Sequence, residues 1–169
     1  MIRAALITVS TSRAGDRKDS DAGRPEIPDV SGERLVAFAE SLGAEILCRE
    51  IVPDDRDAIA ERLTHWSGQG GANLVLTTGG TGFAPEDVTP EATRSVVERS
   101  TPGISEAIRL AASEHTANWP LSRAEAGIRG QCLIINLPGS PKSIDESAPV
   151  LQPFLEHAIG LIEGRAGKH

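Results

Sequence analysis

The chain has 169 residues, 39% hydrophobic and 24% charged, with a formal net charge of −7. That length fits one domain with a real core, and the acidic balance excludes a broad basic face for duplex nucleic acid or an anionic membrane surface. Aromatic residues make up only 3%, with no Tyr, which argues against stacking platforms for single-stranded nucleic acid. Residues 4–9 form a continuous apolar run broken only by Thr8, as in a strand buried on both faces. Residues 10–29 are polar, with Gly15, Gly23, Pro25 and Pro28, and read as a long loop. Leu35, Phe38, Ala39 and Leu42 fall at helical spacing, so residues 31–42 are expected to form a helix capped by Ser31 and ended by Gly43.

Residues 44–52 alternate as a strand does, and Pro53-Asp54-Asp55 opens a helix carrying Ile59, Leu63 and Trp66 on one face. Residues 74–78 are a strand feeding the run Gly79-Gly80-Thr81-Gly82. Thr89-Pro90 reads as an N-cap followed by proline at the first helical position. Thr101-Pro102-Gly103 interrupts, and Ile104, Ala107, Ile108 and Ala111 mark a further helix. Residues 120–130 are irregular or a short hairpin. Residues 131–137 are an apolar strand ending in Pro138-Gly139-Ser140-Pro141, and the last helix carries Leu151, Phe154, Leu155, Ala158 and Ile162.

Strands and helices alternate without a break in composition. The expected fold is therefore one α/β domain, a three-layer α/β/α arrangement with a mostly parallel sheet, over residues 1–164, with 165–169 as a polar tail. Cys48 and Cys132 lie in apolar runs and read as buried free thiols. His65, His115, His157 and His169 show no metal-ligand spacing. The first residues turn polar too soon for a signal peptide, and no apolar run approaches a membrane span, so a soluble cytoplasmic protein is expected.

Function concentrates at the strand ends. In parallel sheets ligands sit beyond the carboxyl ends of the strands, where the loop after Val9, Pro53-Asp54, the glycine run and Pro138 to Pro141 all fall. Glycines at 79, 80 and 82 expose backbone N–H groups and keep no Cβ between them and a ligand, and such concavities bind anions. Asp87 close behind would need a cation between itself and a phosphate, since two negative groups repel. A Walker loop is excluded because no Lys follows Gly82, and residues 8–12 lack the dinucleotide fingerprint.

The motifs taken together resemble the molybdopterin adenylyltransferase family, of the MogA/MoaB type and including the G domain of gephyrin. The matching stretches are residues 76–82 and 87–92, Pro53-Asp54-Asp55, residues 102–109, Ser122-Arg123-Ala124, and residues 136–142. The resemblance implies transfer of AMP from MgATP to the terminal phosphate of molybdopterin, with release of pyrophosphate. It assigns Asp87 and Asp54 as catalytic acids and Mg²⁺ ligands, with Asp55 as a helix cap. It assigns Ser10, Gly79, Gly80, Thr81 and Gly82 to nucleotide and phosphate. Pro138, Gly139, Ser140 and Lys142 fall to the pterin, and Glu106 and Arg109 border the site or form a structural ion pair. ATP and molybdopterin are the implied substrates. A homotrimer, or a hexamer, and contact with other cofactor-biosynthesis proteins follow from the same resemblance. Two other readings stand beside it: a molybdopterin-binding protein with weak or no catalysis, and a scaffold domain like that of gephyrin. Residues 12–29 are expected to close over bound ligand. Two positions depart from the family pattern: Glu33 follows Asp29-Val30-Ser31-Gly32 where proline is common, and Glu86 precedes Asp87 where arginine is common.

Overall fold

A computed structural model describes residues 1–18 and 28–165. In chain order the elements are β1 (Arg3–Val9), α1 (Thr11–Lys18), α2 (Val30–Ser41), β2 (Glu45–Val52), α3 (Arg56–Ser67) and β3 (Leu74–Thr78). Then follow α4 (Thr89–Val96), β4 (Arg99–Ser100), α5 (Pro102–Ala112), a short 3-10 turn (Trp119–Leu121), β5 (Ala126–Arg129), β6 (Cys132–Leu137) and α6 (Pro141–Ile162). The six strands form one sheet in the order β2-β1-β3-β6-β5-β4. β1, β2, β3 and β6 run parallel, and β5 and β4 are antiparallel to their neighbours.

Alternation along the strands builds the two faces. Leu6, Leu76 and Ile135 turn to one side, where α2, α5 and α6 bring Leu35, Phe38, Ile108 and Leu155. Ile7, Val75 and Ile134 turn to the other, against Ile59 and Leu63 of α3 and Val96 of α4. β1, β3 and β6 are buried almost throughout, which is why each reads as an unbroken apolar run. The result is the expected three-layer α/β/α arrangement. Cys132 is fully buried and Cys48 half-buried, both as free thiols. Burial pushes the Cys132 thiol up to about 12 and, with Glu50 nearby, the Cys48 thiol up to about 11. Among the described residues no helix is long and apolar enough to cross a membrane.

Several local expectations are corrected. The loop expected over residues 10–29 begins with α1. Its helix-starting signal is not local, because the carboxylate of Asp54 accepts the N–H of Thr11 at 2.7 Å and its hydroxyl at 2.9 Å. Residues 19–27 of that loop, half of the segment expected to close over ligand, lie outside the described residues, as do residues 166–169 of the tail. The cap of α2 is Asp29, whose side chain accepts from Gly32 N at 2.9 Å. Ser31 instead donates to the carbonyl of Gly139 at 2.7 Å. Val88, not Thr89, stands at the cap position of α4, so Pro90 takes the second helical position. Residues 126–137 are the hairpin β5–β6, turning at Gly130 with φ +55°.

Candidate functional site

The glycine turn leaves β3 between two neighbouring strands. Gly79 N donates to Leu137 O at 3.3 Å, extending the β3–β6 ladder by one bond. Gly79 and Gly80 then take φ of +99° and +64°, a region that only glycine enters cheaply. Space is as restrictive as backbone angle. A Cβ on Gly79 would run into the carbonyl oxygen of Val9, and one on Gly80 would meet the hydroxyl of Thr89. Even Gly139 is crowded, since a Cβ there would lie 3.3 Å from the Cα of Gly79.

Thr89, the first residue of α4, fixes which way the turn faces. Its hydroxyl donates to Gly79 O at 2.9 Å and its N–H to Gly80 O at 3.1 Å. Both glycine carbonyls are thereby held toward the helix. Among the described residues the N–H groups of Gly80, Thr81 and Gly82 donate to no protein acceptor. Three free donors in sequence are what an anion-binding nest requires.

The two predicted acids flank this turn. Asp54 uses Oδ2 for both bonds from Thr11, while its Oδ1 lies 3.4 Å from the Cβ position of Gly80. Asp87 exchanges two bonds with Ala84: its N–H donates to Ala84 O, and its Oδ2 accepts from Ala84 N, each at 2.9 Å. That same Oδ2 lies 2.8 Å from the Cβ position of Gly82. Asp55, as expected, caps α3 by accepting from Ala58 N at 2.8 Å. Glu86 is exposed. Among the described residues no group of three or more His, Cys, Asp and Glu is placed to hold a metal. Two carboxylates beside a phosphate nest still suit Mg²⁺, which takes one or two protein carboxylates and completes its shell with phosphate and water.

The other predicted residues are not all gathered at the turn, and Lys142, Glu106 and Arg109 line grooves beside α5 that hold none of the turn's residues. Ser10 follows β1 with its N–H on Val52 O at 2.8 Å, and its hydroxyl lies 3.1 Å from that of Ser12 and 3.3 Å from Arg13 Nη1. The carbonyls of Pro138 and Gly139 accept from Thr78 and Ser31, both at 2.7 Å. Ser140 caps α6, accepting from Ser143 N at 3.0 Å. Lys142 is exposed and lies 3.6 Å from Glu146 Oε1, lining an open groove of about 730 Å³ between α5 and α6. Glu106 and Arg109 form no ion pair: Glu106 is exposed, while Arg109 donates to the carbonyls of Ser122 at 3.4 Å and Ala124 at 3.0 Å.

Sequence reasoning missed the role of Arg123. Its backbone N–H donates to Thr81 O at 2.9 Å. Its guanidinium donates to Gly82 O at 2.7 Å, Asp87 O at 2.6 Å and Glu91 Oε1 at 2.5 Å. That last bond holds the Glu91 carboxyl below the usual carboxylate range. The only signal was membership of Ser122-Arg123-Ala124 in the resembling motifs. Nothing local says which carbonyls an arginine will find.

Comparison with known proteins decides the family. The profile described as "Probable molybdopterin binding domain" matches residues 5–157. The chain belongs to this molybdopterin-binding domain family. Over 157 residues it is 46% identical to the molybdenum cofactor synthesis protein cinnamon of Drosophila melanogaster, covering 93% of this chain and 25% of that one. Over 146 residues it is 38% identical to the molybdopterin adenylyltransferase of Escherichia coli K12, covering 86% of this chain and 71% of that one. The chain thus spans a quarter of the first relative and most of the second. Among solved structures, the molybdopterin biosynthesis enzyme MoaB of Thermus thermophilus superposes with a TM-score of 0.85 at 39% identity, covering 99% of this chain and 100% of that one.

Proposed function

We propose that this domain is a molybdopterin adenylyltransferase, moving AMP from MgATP onto the terminal phosphate of molybdopterin. A phosphate oxygen of the pterin attacks the α-phosphorus of ATP, the bond from that phosphorus to the bridging oxygen breaks, and pyrophosphate leaves. The observation that carries this reading is the glycine turn, where among the described residues three successive N–H groups donate to no protein acceptor, with a carboxylate against each end of it. Relatives named for this activity support it.

Phosphoryl chemistry of this kind asks for positioning and charge neutralisation more than covalent work by the protein. The N–H groups of Gly80, Thr81 and Gly82 receive phosphate oxygens. Asp87 and Asp54 hold Mg²⁺, which neutralises charge on the reacting phosphates when bound. Ser10 borders the nucleotide, and the wall from Pro138 to Ser140, with Lys142, borders the pterin. A cytoplasmic homotrimer belongs to the same proposal.

The test is pyrophosphate release from MgATP with purified molybdopterin, run beside Asp87→Asn and Asp87→Ala. Release should require the pterin and fall by on the order of 10²-fold or more in both variants, the scale of losing a group that stabilises transition-state charge. No release, with tight pterin binding by all three proteins, would overturn catalysis and leave a binding protein.

A further inference from the structure

We infer that Arg123 is a positioning residue for Asp87, and that Arg109 holds it in place. This rests on the adenylyltransferase reading for its kinetic consequence, though not for its geometry. The stretch from Gly82 to Asp87 joins the phosphate nest to the second acid along the chain, and much of it is exposed. It is closed on itself by the two bonds between Ala84 and Asp87. A short exposed loop of this kind is expected to open locally unless something outside it fixes its ends.

Arg123 fixes both ends with one rigid group. Nε holds the carbonyl of Gly82 and Nη2 the carbonyl of Asp87, so the planar guanidinium sets the separation of nest and acid. Nη1 is bonded to Glu91 of α4, which ties the same fork to the helix that orients the glycine carbonyls. Arg123 is itself held from behind: Arg109 of α5 donates to the carbonyls on either side of it, those of Ser122 and Ala124. Two arginines in series thus carry the order of α5 into the loop of Asp87. A lysine at 123 would keep the charge and lose the fork.

The experiment compares wild type, Arg123→Lys and Arg123→Met in two assays. The first is amide hydrogen exchange without ligand. The N–H groups of Ala84 and Asp87 should exchange at least tenfold faster in Arg123→Met, with those of β3 unchanged. The second is pyrophosphate release, where kcat should fall by on the order of 10²-fold while KM for ATP moves less than threefold, and Arg123→Lys should recover only part of kcat. Unchanged exchange at Ala84 and Asp87 overturns the inference. So does a kcat within twofold of wild type, or a loss confined to KM. If wild type releases no pyrophosphate, the functional reading fails and exchange alone decides the positioning role. Should Arg123→Met not fold, Arg123→Lys and Arg109→Met carry the same comparison.

Discussion

Replacing Gly79 by alanine strikes the point where three parts of the site touch. Gly79 has φ +99°, and its added Cβ would collide with the backbone oxygen of Val9. The left-handed conformation costs a residue with a Cβ roughly 1–2 kcal/mol. The collision cannot be relieved by a rotamer, because the obstacle is backbone in β1, which is paired with β3 from Ala4↔Leu74 through Thr8↔Thr78. Forcing extra volume into such a place costs about 1–3 kcal/mol more. The sum is about 2–5 kcal/mol, and at roughly 2–4 °C per kcal/mol for a domain of this size it lowers Tm by about 4–20 °C. A thermal melt measures it, with Gly103→Ala as control. A Cβ on Gly103 meets nothing within 4 Å in the first turn of α5, so alanine there should be neutral or stabilise by up to about 1 kcal/mol. A Gly79→Ala protein melting within 2 °C of wild type, a margin below about 1 kcal/mol, would refute the claim that the turn is pinned by steric contact.

Two further outcomes follow from groups around the turn. Asn136 is fully buried and donates to the hydroxyls of Thr77 at 3.0 Å and Thr93 at 2.9 Å, while its Oδ1 accepts from Glu125 N at 3.1 Å. Asn136→Leu should cost about 2–4 kcal/mol in urea unfolding with m unchanged, since it strands three polar groups at once; a loss below about 0.5 kcal/mol, within the error expected of any contact-based figure, would sink the reasoning. The Arg123 bond lowers the Glu91 carboxyl, and the Asn73 bond lowers that of Glu163. A carboxyl lowered on folding stabilises fully above its unfolded value, here 4.5, and that stabilisation drains away as pH falls through the folded value. Glu91→Gln should therefore lose less stability than wild type between about pH 5 and pH 3, and parallel pH curves for the two proteins would contradict the assignment.

Much of this architecture can be read from residue order because burial leaves a plain signature. β1, β3 and β6 are covered on both faces and so appear as apolar runs, and α2, α3, α5 and α6 show their stripes. The features that escaped reading depend on partners distant in sequence. α1 is polar, contains Gly15, and is started by Asp54, 43 positions away. Ser31 resembles a cap yet bonds to Gly139, 108 positions away, and Asp29 does the capping. β4 is only two residues long and depends on β5 for its ladder. The glycine turn and Asp54 could be picked out because they follow β3 and β2 closely, and topology gathers strand ends at one edge, while Asp87 could be picked out as the acid between the glycine run and the start of α4. Arg123 could not, since the three acceptors of its guanidinium lie on residues 82, 87 and 91, more than thirty positions before it.

On the adenylyltransferase proposal, the hydrogen bonds that both acids make bear on how the site would act. Asp54 spends Oδ2 on starting α1, and Asp87 spends Oδ2 on closing its own loop. Each carboxylate is thus held in orientation by one oxygen, with the other left available. Thr89 likewise binds the two glycine carbonyls, and among the described residues the N–H groups of Gly80, Thr81 and Gly82 donate to no protein acceptor. A reaction whose barrier is mostly charge and alignment gains most when these groups need no reordering as substrate binds. On that proposal, contacts among backbone, threonine and arginine supply that ordering. On the same proposal, Thr89 and Arg123 serve the site by holding the glycine turn and the Asp87 loop in place, and Asn136 joins β6 to β3 and α4 beneath it.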